Sequence, residues 1–278
     1  SSVEVWNFHL RRKLATVKLP VQQQVTHIHS HDKANPLLNA PGNTITTPQR
    51  IVYVFTENSV LMFNPVNNQF LDTVLETSAG PIWKVTSAMT PDGLLLFAVH
   101  TSGNVSVIHC EGDQPVLKHL HTVAAFHDSP ARSVSVSYFK ESLYLAVGSE
   151  HGFIRIFDAN SWKTVSDWQA HQQCVSSLSF FVDPTEDAKP WKLLSTSYDG
   201  TVKAWSQPTE GIASEQVFQY HPGSAVSDAI VVPNTSKVIA SSFDFTMKMI
   251  DLNKHSATDT QYLYHTIYGH SAPVLQIL

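Results

Sequence analysis

The sequence predicts an all-β fold made of a repeated four-stranded unit, and three observations carry this. First, six short stretches align without a gap, at 2–7, 59–64, 104–109, 153–158, 201–206 and 246–251. Their shared pattern is small or polar, apolar, variable, apolar, large apolar, polar. The large residue recurs at Trp6, Phe63, Ile108, Phe157, Trp205 and Ile250, in steps of 57, 45, 49, 48 and 45 residues. Second, a turn pair precedes five of the stretches: Glu57-Asn58, Ser102-Gly103, His151-Gly152, Asp199-Gly200 and Asp244-Phe245. Pairs ending in Gly favour tight hairpins because Gly accepts positive φ. Third, further strand-like runs with apolar alternation flank every stretch. A strand-rich period of this length is the mark of a radial array of four-stranded blades, a β-propeller.

The elements follow in order. Residues 1–19 form a partial blade, because the first aligned stretch is already a third strand. Complete blades are expected over 22–75, 82–123, 131–168, 173–219 and 224–268. Residues 272–278 read as the first strand of a closing blade. The expected ring has six or seven blades, and its closing strands are expected either from terminal residues not present here or from a partner or another segment, since open strand edges are aggregation-prone. Three stretches are longer than hairpins require, 31–50, 183–191 and 207–216, and are expected to be insertions available to partners.

At these residues the chain resembles the WD40-repeat family. The fullest unit runs from Ala170-His171 through Leu194-Ser195-Thr196-Ser197-Tyr198-Asp199-Gly200-Thr201-Val202-Lys203-Ala204-Trp205-Ser206. It is similar to the family's GH-to-WD unit, with Ala for the Gly and Ser for the final Asp. Gly269-His270 is an intact GH pair, and Phe157-Asp158 and Ile250-Asp251 keep the Asp without the Trp. His127 and His221 stand where the repeat His is expected. The resemblance implies a buried hydrogen-bonded set of His171, Ser195 or Ser197, Asp199 and Trp205. It implies a second, poorer set of His221, Ser242 and Asp244, which lacks an indole because Ile250 replaces the Trp. Physical chemistry agrees, because a buried carboxylate needs donors to offset its desolvation.

Composition narrows the function. Eighteen basic and 23 acidic residues give a net charge of −5, which argues against nucleic acid as the main ligand. The only basic cluster, Arg11-Arg12-Lys13, reads as a solvated turn. No apolar run is long enough to cross a bilayer as a helix. Cys110 and Cys174 are too few for a disulfide framework and read as free thiols. The expected setting is intracellular, with nucleus and cytoplasm not distinguished. Asn104-Val105-Ser106 matches a glycosylation pattern inside a strand and reads as a chance match.

No nucleophile elbow, phosphate loop or dinucleotide fingerprint occurs. Neither an enzyme nor a cofactor is expected. His27, His29 and His31 alternate ahead of Asp32, and a His-x-His pair on one strand face is a weak candidate for metal. Tyr198 and Phe243 each precede a turn Asp, outside the core pattern, and are candidate binding aromatics. Trp83 and Arg132, near the starts of first strands, are expected at the same face, and Glu150 is the carboxylate candidate for an aromatic cage with Tyr198 and Phe243. The expected function is a non-catalytic scaffold for protein or peptide partners in a larger assembly. Two alternatives stay open: a reader of a modified or charged peptide at the channel mouth, and a metal-dependent module using His27, His29 and His31.

Overall fold

The computed structural model describes residues 2–7, 11–32, 50–111, 116–139, 142–181, 192–206, 214–219, 223–232, 235–252 and 263–277. Twenty-two strands form one two-stranded and five four-stranded sheets. The chain divides into two compact units, Ser1–His100 with Ser106–Thr122, and Thr101–Val105 with Val123–Leu278.

In the first unit, β1 (Ser2–Asn7) pairs antiparallel with β2 (Arg12–Lys18). Arg11 alone of the basic cluster lies in the turn, at φ 48°. Arg12 and Lys13 open β2, and Lys13 bonds Glu4 across the pair at 2.9 Å. The next sheet is a meander of β3 (Val25–Asp32), β4 (Arg50–Thr56), β5 (Ser59–Asn64) and β6 (Gln69–Glu76). It is followed by β7 (Ile82–Thr90), β8 (Gly93–His100), β9 (Asn104–Glu111) and β10 (Val116–Ala124).

The second unit holds three sheets of the same design. They are β11 (Ala131–Phe139) to β14 (Lys163–Gln169) through β12 (Ser142–Ser149) and β13 (Phe153–Asp158); β15 (Val175–Phe181) to β18 (Ser214–Gln219) through β16 (Lys192–Ser197) and β17 (Thr201–Ser206); and β19 (Val226–Val231) to β22 (Leu263–Ile267) through β20 (Lys237–Ser242) and β21 (Met247–Asp251). The stretch expected as an insertion over 207–216 already enters β18 at Ser214, because Ser214 to Gln219 pair with Ser206 to Thr201. The expected insertions at 31–50 and 183–191 fall almost wholly outside the described residues.

Burial explains the design. Second strands such as β12 and β16 are almost wholly buried, while the outer strands β10 and β14 are mostly exposed. The second and third strands therefore lie sandwiched and carry the continuous apolar runs. Phe63, Ile108, Phe157, Trp205 and Ile250, large residues of five aligned stretches, are buried. Each stabilises the fold by about 1.5–3 kcal/mol of transfer free energy. The cores gather within units: Tyr53, Phe55, Met62, Leu96 and Ile108 in the first, and Ile154, Trp168, Leu193 and Trp205 in the second.

Each four-stranded sheet opens with the same irregularity. The register between first and second strands slips at Val25/His27, Ile82/Lys84, Ala131/Ser133, Val175/Ser177 and Val226/Asp228. A one-residue bulge leaves Thr26, Trp83, Arg132, Ser176 and Ser227 outside the ladder and redirects their side chains.

Residues 272–277 make no strand ladder. Val274 nevertheless takes a bond from Ser227 Oγ to its carbonyl, the bond that Val226 takes from Ser176. The Ile277 amide donates to the Asp228 carboxylate at 3.0 Å.

Candidate functional site

The best-formed polar network lies between β14 and β17. The Trp205 indole N–H donates to Ser195 Oγ at 2.8 Å, and Ser195 Oγ lies 2.7 Å from His171 Nε2. His171 Nδ1 lies 3.1 Å from Asp199 Oδ2 and 3.0 Å from Thr201 Oγ1. Because a carboxylate only accepts, the proton on Nδ1 belongs to the Asp199 bond. Nε2 is then the acceptor of the Ser195 hydroxyl. One polarised chain results, from indole through hydroxyl and imidazole to carboxylate.

Asp199 is further tied by the amides of Thr201 at 2.9 Å and Gln172 at 3.0 Å, and by the Thr201 hydroxyl at 2.6 Å. Burial opposes its charge, but the bonds from His171 and Thr201 outweigh that and hold the carboxyl below its usual range. Ser197 stays outside the chain. Its hydroxyl donates to the Gln173 carbonyl and accepts the Asp199 amide. Thr201 is the member that the sequence reading did not single out.

The described part of the second set repeats the turn of the first. Asp244 Oδ1 takes the Thr246 amide at 3.2 Å and the Thr246 hydroxyl at 2.8 Å, repeating the clamp of Asp199 on Thr201. Ser242 Oγ bonds the Ala225 carbonyl and Ser224 Oγ. His221 lies outside the described residues. His127 is exposed and is not the counterpart of His171. The amides of Ala170 and His171 both bond the Gly152 carbonyl, and those of Ala125 and Phe126 both bond the Gly103 carbonyl. Phe126 therefore holds the His171 register, one residue before the position the alignment gave, and Arg155 lies 5.4 Å over its ring.

In the first unit a different histidine is buried. His100 Nδ1 donates to the Gly80 carbonyl at 2.5 Å, and its Nε2 lies 2.8 Å from Ser106 Oγ. Burial lowers its pKa, against the pull of the Gly80 bond. The signal was present, since His100 ends its strand where Thr56, Ser149, Ser197 and Ser242 end theirs.

His27 and His29 of β3 lie near β7 of the next sheet. His29 Nε2 is 2.7 Å from Ser87 Oγ, and burial with the nearby Lys84 lowers the His27 pKa. Among the described residues no group of three or more His, Cys, Asp or Glu side chains could hold a metal ion. Cys110 and Cys174 are thiols outside any disulfide. Cys110 is buried and receives the Tyr53 hydroxyl at 3.1 Å, and burial pushes the half-buried Cys174 thiol up to about 11.

The candidate partner-binding residues of the second unit share one construction. The Glu150 amide bonds the Pro130 carbonyl, the Tyr198 amide that of Cys174, and the Phe243 amide that of Ala225, at 2.9, 3.1 and 3.0 Å. Three successive blades thus hold the residue after the second strand by the same bond to the residue before the first strand. The Tyr198 and Phe243 rings come together, with centroids 5.5 Å apart and planes tilted by 42°, and they remain 39% and 36% exposed. Arg132, at a bulge position, binds Glu150 through Nε at 3.1 Å and Nη2 at 2.7 Å. Burial, then the Cys174 thiol, raise the Tyr198 phenol above its ordinary value, so it is a hydrogen-bond donor at neutral pH. Trp83, in the first unit, is half exposed at its own bulge.

Residues 162–206 match the family model of the WD domain, G-beta repeat. The match begins in the turn before β14 and ends with β17. Together with the succession of four-stranded antiparallel meanders, it fits an all-β fold of the WD40-type β-propeller. Domains of this kind generally mediate protein interactions without catalysis. No curated protein sequence matches the chain. No helix among the described residues is long and apolar enough to cross a membrane.

Proposed function

We propose that this protein is a non-catalytic interaction scaffold, a subunit of a larger intracellular assembly. In this reading it engages a protein partner through the surface of the second unit that carries Arg132, Glu150, Tyr198 and Phe243. The observation that carries this reading is the Tyr198–Phe243 pair. Two large aromatic side chains meet outside the core, held by the same backbone bond in adjacent blades, and stay more than a third exposed. Packing of the core does not require them, and aromatics of this exposure are common anchors in interfaces. Trp83 offers a separate contact on the first unit.

The test is affinity capture with quantitative mass spectrometry, comparing the full chain with a Tyr198→Ser, Phe243→Ser double variant. Loss of specific partners at an unchanged melting temperature supports the reading. Capture of the same partners in the same amounts moves the interface elsewhere.

A further inference from the structure

The second unit carries three equivalent turns after second strands, His151-Gly152, Asp199-Gly200 and Asp244-Phe245, with φ of 87°, 85° and 69° at the second residue. Phe245 is the strained member, since a bulky side chain in this left-handed region is an outlier. The first residue of each turn also needs an acceptor for its amide. After β16 and β20 that acceptor is the serine two residues back. The Asp199 amide bonds Ser197 Oγ at 3.1 Å, and the Asp244 amide bonds Ser242 Oγ at 3.3 Å. After β12 the corresponding serine, Ser149, accepts the Phe153 amide instead, at 3.0 Å. The His151 amide goes to Ser129 Oγ at 3.3 Å, from the loop between β10 and β11.

This bond is long for its kind and open to solvent. Ser197 and Ser242 are fully buried, whereas Ser129 is partly exposed and follows the exposed His127 and Asp128. Among the described residues the Ser129 O–H has no acceptor. The hydroxyl can therefore leave the turn at small cost. The sequence around it is Ser129-Pro130-Ala131-Arg132. Pro130 biases Ser129 towards extended backbone, and a base stands three residues after the hydroxyl, which is the pattern of a proline-directed kinase substrate. Thr90-Pro91, the other such pair among the described residues, runs on into Asp92-Gly93, and its hydroxyl is tied to the Gly93 carbonyl at 2.8 Å.

Residues 129–132 face 150–151 through three contacts. Ser129 meets the His151 amide, the Pro130 carbonyl takes the Glu150 amide, and Arg132 binds the Glu150 carboxylate. A phosphate on Ser129 would stand beside the Glu150–His151 peptide and repel the Glu150 carboxylate. It would bring a charge of about −1.5 to −2 and three strong acceptor oxygens. Arg binds such a group through paired, charge-assisted bonds.

We infer that Ser129 is a phosphorylation site and that its phosphate takes Arg132 from Glu150. In the transfer, Ser129 Oγ attacks the γ-phosphorus of a nucleoside triphosphate held by a proline-directed kinase. The hydroxyl proton passes to the kinase's catalytic carboxylate, the bond from that phosphorus to the β-phosphate oxygen breaks, and the nucleoside diphosphate leaves. Arg132 and Glu150 both act electrostatically on the Tyr198 phenol, so the modification resets the charge at an aromatic of the candidate partner surface. That consequence rests on the interaction-scaffold reading above, and the modification itself does not.

The test is incubation of the full chain with labelled ATP and a kinase that requires only the proline after its serine. Peptide mass spectrometry locates the label, because Thr47-Pro48-Gln49-Arg50 has the same pattern outside the described residues. Label is expected on Ser129. Pro130→Ala keeps the hydroxyl and the carbonyl that Glu150 bonds, and should lose the label. Phosphorus NMR of the modified chain should show the phosphoserine titrating below its ordinary value of about 6, and returning towards it in Arg132→Gln.

A folded chain that takes no label on Ser129 overturns the site. Equal titration of the phosphate in the parent and in Arg132→Gln overturns the exchange at Arg132. If phosphorylated and unmodified chains capture the same partners in the same amounts, while the Tyr198→Ser, Phe243→Ser variant loses them, the interaction surface stands and its control by Ser129 is wrong. If that double variant keeps its partners, the surface is wrong, and the label and the titration still decide the site and the exchange.

Discussion

The Trp205 indole reaches His171 through one atom, Ser195 Oγ, which accepts the indole proton at 2.8 Å and faces Nε2 at 2.7 Å. Removal of the indole takes a donor from Ser195 Oγ, and removal of the imidazole takes the acceptor of its hydroxyl, in a buried site where water does not replace either. Trp205→Ala should destabilise the protein by about 3–5 kcal/mol through the cavity against Trp168 and the lost bond. Trp205→Phe keeps most of the volume and should cost about 1–3 kcal/mol for the missing donor. Chemical denaturation of both variants measures the difference, and equal losses would show that the indole N–H contributes nothing.

Asp199 accepts bonds from His171, Gln172 and Thr201, and its carboxyl is held below the usual carboxylate range. A depressed folded pKa gives stability that is full above the unfolded value, about 3.9, and is lost as pH falls through the folded value. Melting temperatures of the parent should fall below about pH 4, and Asp199→Asn should flatten part of that fall. Asp244→Asn should lower the neutral-pH melting temperature less than Asp199→Asn. Equal shifts would put the two turns on the same footing.

His100 has a dependence of the same sign in its own, higher window. Its folded pKa is lowered by burial, so the unfolded chain binds the proton more readily below about pH 6.5. Stability should therefore decline as pH falls from about 6.5 towards the folded value, and then level off. His27, lowered by burial and Lys84, adds to the same slope. His100→Gln should make the melting temperature less sensitive across pH 5 to 7 (an estimate from the ordinary histidine range). An unchanged slope would assign it to other groups.

The turn glycines give a backbone test. At Gly152 an added Cβ would meet the His171 carbonyl oxygen at 2.1 Å, at φ 87°, so Gly152→Ala combines strain with a clash against backbone. It should cost more than about 1–2 kcal/mol, while Phe245→Gly should gain roughly 0.5–1 kcal/mol by relieving strain. A thermal melt of the two variants gives the sign of each change.

Much of the fold was legible because strand alternation and the 45–57-residue period come from local chemistry. Core residues such as Phe63 and Trp205 must recur wherever a third strand is buried between its neighbours. His171, Asp199 and Trp205 were named through the resemblance to the WD40 repeat, which left Ser195 and Ser197 as alternatives, and in the structure Ser195 joins the indole to the imidazole. What spacing misses is substitution within the network. Phe126 takes the register of His171, Thr201 shares the load on Asp199, and His100 pairs with Ser106 where other blades end in Ser or Thr. Phe245 was readable as a letter, but its strain appears only once the turn's φ is known. The Tyr198–Phe243 contact joins residues on different blades, and no local pattern reports the distance between them.

The five first-strand bulges divide labour between joining and display. At Ser176 and Ser227 the bulged hydroxyl is used as a stitch to the carbonyl of Val226 or Val274. In the sheet of β11 the stitch to Val175 comes from Ser133, one residue further on, at 2.9 Å. That single displacement releases the bulge position from seam-holding, and Arg132 occupies it with a long charged side chain bound to Glu150. A seam residue can thus move along the strand by one, leaving an outward position open to a new side chain while the seam itself stays closed.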